Sequence, residues 1–209
     1  MTTTSPQQAW DEMRHGNENF VAGTPEHPHQ DVDTRAGLAD GQAPHAALFG
    51  CADSRLAAEI IFDRGLGDLF VIRNAGQVVS DSVIGSLEYA VAVLKVPLIV
   101  VLGHDACGAV RAAIDAESKN PPALPAHIAQ LIAPIRPSVR RARVIGHNDA
   151  ETIGRLHLRE TIADLLAGSE LISDAVADGT LGIVGANYRL AEGRVVPDAA
   201  LGVIDVDAA

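Results

Sequence analysis

The chain has 209 residues, 47% of them apolar and 21% charged, which is the balance of an ordinary globular protein with one substantial core. A formal charge of −11 excludes nucleic acid as an expected partner, because phosphate binding needs a concentrated basic surface. No apolar run approaches the roughly 20 residues of a membrane span, and MTTTSPQQAWDEM lacks a cationic segment followed by an apolar one, so no membrane partner and a cytoplasmic location are expected.

Along the chain, residues 7–22 set Trp10, Met13, Phe20 and Val21 among Gln, Asp, Glu and Asn, which predicts an amphipathic helix. The Pro/His loop TPEHPHQ follows, and the spacing suggests an N-terminal helical arm over residues 1–30 rather than a piece of core, with residues 31–209 forming one α/β domain. Four apolar runs of strand length come next: AALFG (46–50), DLFVI (68–72), PLIVVLG (97–103) and LGIVGA (181–186). They are continuous rather than alternating, the pattern of parallel strands buried on both faces. Helical segments separate them: AAEIIFD, DSVIGSLEYAVAVLKV, a proline-interrupted region from Ala109 to Pro137, and a long stretch from about Glu151 to Ala177. Arg136, Arg140, Arg141 and Arg143 read as a solvated helical face. The tail GRVVPDAALGVIDV reads as a last strand or strand pair, held to the edge by Pro197. Strands alternating with helices predict an α/β fold with a mostly parallel central sheet flanked by helices and a C-terminal edge strand.

The helix SVIGSLEYAVAVLKV is apolar around nearly its whole circumference, and such a helix must be buried all round. The sheet covers one face. A second subunit is the expected cover for the rest.

In the expected reducing compartment the two cysteines, Cys51 and Cys107, read as ligands, nucleophiles or core residues rather than a disulfide. Parallel sheets gather functional groups beyond the carboxyl ends of their strands. AALFG runs into CADSR and PLIVVLG into HDACG, so Cys51 and His104 project from two strand ends, with Cys107 three residues after the histidine. Two thiolates and an imidazole with one exchangeable position are the composition of a catalytic zinc site. Asp53 is a fourth candidate ligand, and Arg55 can pair with it, holding the carboxylate ionised and off the metal. The remaining histidines lack ligand spacing to the cysteines; His27 and His29 form a solvated H-P-H loop.

CADSR followed by GHDACG resembles the β-class carbonic anhydrases, and the likeness continues through GDLFVIRNAG, GSLEYAVAVLKV and LGIVGANYRLAEG, from Gln42 to Gly193. The resemblance implies one zinc per chain on Cys51, His104 and Cys107, with Asp53 and Arg55 as the catalytic dyad and Asp53 able to take the fourth zinc position. It also implies a substrate pocket of Gln42, Phe70, Tyr89 and the Gly108 N–H, an N-terminal arm over a partner, and a homodimer or homotetramer. The implied reaction is reversible hydration of CO2 to bicarbonate and a proton, through zinc-bound hydroxide. Some members carry a Trp-Arg-Tyr bicarbonate site; Arg73 and Tyr188 stand at two of those positions, but Leu48 replaces the tryptophan. Others carry a shuttle histidine four residues after the pocket tyrosine, where this chain has Val93. The competing readings are hydrolysis of a CO2-like molecule such as CS2 or COS on the same scaffold, a non-catalytic zinc-binding or sensing protein, and a cysteine-nucleophile enzyme.

Overall fold

The computed structural model describes residues 4–206. A five-stranded sheet runs in the order β2-β1-β3-β4-β5, with β1 Ala46–Cys51, β2 Leu69–Asn74, β3 Leu98–His104, β4 Gly182–Arg189 and β5 Arg194–Leu201. The first four are mutually parallel where they pair, and β5 closes one edge antiparallel to β4. All four apolar runs are strands, and every residue of β1 and β3 is buried. Pro197 lies on the edge strand, opposite Ala186 and beside a register irregularity at Gly185/Ala186. A residue without an N–H is tolerated there because the outer side of an edge strand needs no ladder bond.

Side chains alternate between two cores. Leu48, Val100, Leu102, Val184 and Ala186 face one layer, whereas Ala47, Phe49, Ile99, Val101 and Ile183 face the other. The first layer holds α1 (Pro6–Ala22), α3 (Ala58–Ile61), α5 (Gly108–Ala116) and α7 (Arg136–Val144); the second holds α4 (Asp81–Ala92) and α9 (Glu170–Ala177). The long helix α8 (Ala150–Gly168) sends Ile153 to the first core and Leu158, Ile162 and Leu165 to the second. Short helices α2 (Val32–Gly37) and α6 (Ala126–Ile132), with a 3₁₀ turn at Ala133–Ile135, fill the connections.

Two local outcomes differ from the sequence expectations. Helix α1 is integral to its own chain: Ala9, Trp10 and Met13 are at most 1% exposed and join the first core. The Asn17 amide donates to the Ile61 and Gly193 carbonyls and accepts from the Val195 N–H, tying α1 to α3 and β5. At Gly16 a Cβ would lie 1.8 Å from the Phe62 carbonyl oxygen, so only glycine allows this approach.

The long helix expected over 151–177 is two helices. Ser169 adopts an extended conformation (φ −142°, ψ 108°), and its hydroxyl caps α9 by accepting the Ile172 N–H while donating to Glu88. As the sequence leads one to expect, this chain covers only one face of α4: Val83, Leu87 and Ala90 point inward, while Tyr89 and Val93 are 46% and 57% exposed.

Candidate active site

Cys51 ends β1, His104 ends the neighbouring β3, and Cys107 caps the start of α5. Ala106, in the left-handed region (φ 50°), turns the chain from strand into helix over three residues, which folds the H-x-x-C segment back on itself. The two Sγ atoms and one imidazole nitrogen of His104 lie within 4.8 Å of one another, and all three residues are buried. Among the described residues this is the only such grouping of His, Cys, Asp and Glu.

The imidazole is oriented by its own loop. Nδ1 lies 2.8 Å from the Asp105 carbonyl oxygen, which can only accept, so Nδ1 carries the proton and Nε2 presents its lone pair. Nε2 is buried without a hydrogen-bond partner. A bare nitrogen lone pair there would forfeit its hydration without compensation, whereas a metal ion satisfies it. The donor set of two sulfurs and one imidazole suits zinc, so the residues present fit the ion that the sequence implies. Between the thiols, the contact with Cys107, helped by His104 and the Gly76 N–H and opposed by burial, lowers the pKa of Cys51. The same contact, with burial, pushes Cys107 up.

Asp53 and Arg55 follow in the turn after β1. Arg55 Nε donates to Oδ1 at 2.8 Å and Nη2 to Oδ2 at 2.6 Å, and the Arg55 backbone N–H also reaches Oδ1, at 3.0 Å. This fork holds the Asp53 carboxyl well below the usual carboxylate range. Asp53, the fourth candidate ligand, is thus committed to Arg55, with Oδ2 4.0 Å from His104 Nε2. Arg73, at the end of β2, braces the turn by donating to the Cys51 and Asp53 carbonyls at 2.9 and 2.5 Å.

The expected substrate residues divide between the two ends of the sheet. Gly108 begins α5 next to Cys107. Phe70 pairs with Ala47 near the start of β1, its ring 6.1 Å from that of Tyr89, and Gln42 lies exposed in the loop leading into β1. Cys51 pairs with Asn74 at the other end of β1, about 13 Å from the Ala47 level at roughly 3.3 Å per residue. Within one chain, Gln42, Phe70 and Tyr89 therefore do not reach the cysteines. The H-P-H loop is not part of the centre either: His29 Nδ1 lies 2.8 Å from the buried Asp68.

Spacing did not reveal a further group of residues. The Gly76 N–H lies 3.3 Å from Cys51 Sγ, and His157 Nε2 lies 2.7 Å from the Gly76 carbonyl. The position of Asn74–Gly76 just beyond β2 was the available signal for the first contact; a histidine on α8, 81 residues away, gives none.

An open, mainly parallel sheet whose adjacent strand ends present two cysteines, a histidine and an arginine-clamped aspartate defines an α/β protein with a soft-ligand metal centre. The profile of the carbonic anhydrase family matches residues 46–195. Carbonic anhydrase 2 of Mycobacterium tuberculosis is 53% identical over 94% of each chain, and the carbonic anhydrase of Mycolicibacterium smegmatis is 47% identical over 93% of this chain and 94% of its own. Among solved structures, a tetrameric β-carbonic anhydrase of Sordaria macrospora superposes with a TM-score of 0.72 at 27% identity, covering 89% of this chain and 95% of that one. The Coccomyxa β-carbonic anhydrase in complex with acetazolamide gives 0.68 at 27% identity, covering 90% and 83%. The chain belongs to the β-class carbonic anhydrases and is an enzyme of carbon dioxide hydration.

Proposed function

We propose that each chain holds one zinc ion through Cys51, His104 Nε2 and Cys107, and that Asp53 and Arg55 are the dyad of reversible CO2 hydration at that centre. The observation that carries this reading is the buried, partnerless His104 Nε2 set between two thiols and beside a clamped carboxylate. Zinc, when bound, supplies Lewis acidity that makes a water molecule nucleophilic near neutral pH.

The chain's own groups do the rest. Arg55 keeps Asp53 ionised and directed, so the carboxylate acts as an acceptor that orients the attacking group. The Gly108 N–H donates to the oxygen on which bicarbonate charge develops, a reading supported by its position at the start of α5 next to Cys107. Val93, four residues beyond Tyr89, cannot carry a proton, so the released proton leaves through buffer, water or another residue. The missing apolar wall and the Gln42 donor come from a second copy, whose Gln42, Phe70 and Tyr89 lie near the amino ends of its strands; the exposed apolar side of α4 supports this homodimer or a homotetramer. Two free cysteines support a reducing, cytoplasmic setting.

The test is stopped-flow CO2 hydration with zinc content measured on the same sample. Cys51→Ala, His104→Ala and Cys107→Ala should each lose metal and activity together. Full zinc occupancy in Cys107→Ala would overturn the ligand assignment, and faster turnover of COS or CS2 than of CO2 would overturn the substrate.

A further inference from the structure

His157 is 3% exposed on α8, far in sequence from any ligand, and the chemistry above does not use it. Burial pushes its imidazole down, so it is neutral near pH 7 and has one N–H to give. Its Nε2 faces the Gly76 carbonyl at 2.7 Å, and a carbonyl only accepts, so the proton sits on Nε2. On the other side of the same residue, the Gly76 N–H donates to Cys51 Sγ at 3.3 Å.

The loop between these contacts is held in a conformation it would not keep alone. Gly76 and Gln77 are both left-handed (φ 84° and 40°), and for glutamine that region is strained. A Cβ at Gly76 would lie 2.7 Å from Ala109 Cβ and 2.9 Å from Ile135 Cδ1, so the loop is pressed against α5 and the 3₁₀ turn. Asn74 clamps it from one end, donating to the Val78 carbonyl and accepting the Val78 N–H at 2.7 and 2.8 Å. From α8, Thr161 Oγ1 reaches the Gln77 carbonyl at 3.4 Å, beside the His157 bond.

We propose that His157 is a positioning residue for the metal centre: by fixing the Gly76–Gln77 peptide it keeps the Gly76 N–H on the Cys51 sulfur, and so sets how strongly that sulfur donates to the metal. This rests on the zinc reading above. A hydrogen bond to sulfur withdraws electron density, so its loss makes the thiolate a stronger donor and the metal a weaker acid.

The experiment compares wild type, His157→Gln and His157→Asn in the full chain, because glutamine can return an amide N–H near the Nε2 position while asparagine is too short. The readouts are zinc affinity by chelator competition, the thiolate-to-metal charge-transfer band of the cobalt(II)-loaded protein, and the midpoint of the pH–kcat/KM profile. In His157→Asn the affinity should fall about tenfold or more, because the released loop no longer holds the Cys51 sulfur in place and this outweighs its stronger donation; the band should move and the midpoint should rise. His157→Gln should stay near wild type. Unchanged band, affinity and midpoint in His157→Asn, or equal shifts in both variants, would overturn the proposal. Should His157→Asn not fold, His157→Phe fills the buried site without offering Gly76 a donor: the same band shift supports the mechanism and an unmoved band overturns it. Wild type that takes up no metal would instead remove the zinc reading.

Discussion

The proposed sharing of one pocket between two chains has a measurable arithmetic. The metal ligands and the Asp53–Arg55 pair sit at the carboxyl ends of β1 and β3, whereas Gln42, Phe70 and Tyr89 lie at the other end, about 13 Å away along β1. A chain carrying Cys51→Ala spoils only its own metal site and can still lend its Gln42; a chain carrying Gln42→Ala keeps its ligands and spoils only the neighbouring pocket. Each homogeneous variant should be nearly inactive, the second by about 100- to 1000-fold, the usual cost of removing one donor to a developing oxyanion. In an equal random mixture, half of the sites have intact ligands and half of those face a partner with intact Gln42, so about one quarter of wild-type activity should return. Coexpression of the two variants, with chain exchange verified by mass and activity followed by stopped-flow CO2 hydration, is the assay. A verified hybrid no more active than its parents would refute a pocket shared between chains.

Trp10→Ala should destabilise the chain by about 3–5 kcal/mol, the range for emptying a large aromatic site, because the indole is 1% exposed within its own chain; urea unfolding would detect this, and a change below about 1 kcal/mol would restore the view of α1 as an arm packed on a partner rather than on its own core. For Asp53 the sign of the pH dependence is set by Arg55, whose hydrogen bonds depress the carboxyl pKa: any stabilisation from the pair is complete above the unfolded value of about 3.9 and is lost only as pH falls through the lower folded one. Activity changes between pH 6 and 9, a window about the neutral working range, therefore do not report Asp53 titration. Arg55→Ala should cost about 10- to 100-fold in kcat/KM, and Arg55→Lys should rescue little, since an ammonium cannot reproduce the two-pronged contact; wild-type kcat/KM profiles in Arg55→Lys would contradict this.

The parallel core and the grouping of Cys51, His104 and Cys107, the proposed metal ligands, were legible along the chain because each depends on short-range order. A strand buried on both faces must be continuously apolar, as 46–50, 97–103 and 181–186 are, while 68–72 opens on Asp68 and forms the half-buried edge strand β2; the point where each run stops marks where a polar side chain is presented. Cys51 and His104 stand at two such points, and Cys107 is one loop away. The Asp53–Arg55 pair is likewise local, two residues apart. What lay beyond the sequence was every choice of partner among surfaces of equal character. The stripe of Trp10 and Met13 states that α1 is buried but not against which chain, and only the packed position of Gly16 on Phe62 and the three bonds of Asn17 assign it to its own. The break at Ser169 follows from the Glu88 side chain that receives its hydroxyl, 81 residues away, which no local propensity encodes. His157 on Gly76 is the same case at the centre itself. A histidine in a helix carries no signal of the carbonyl it meets, because that meeting depends on how α8 packs across the sheet and not on the residues beside it.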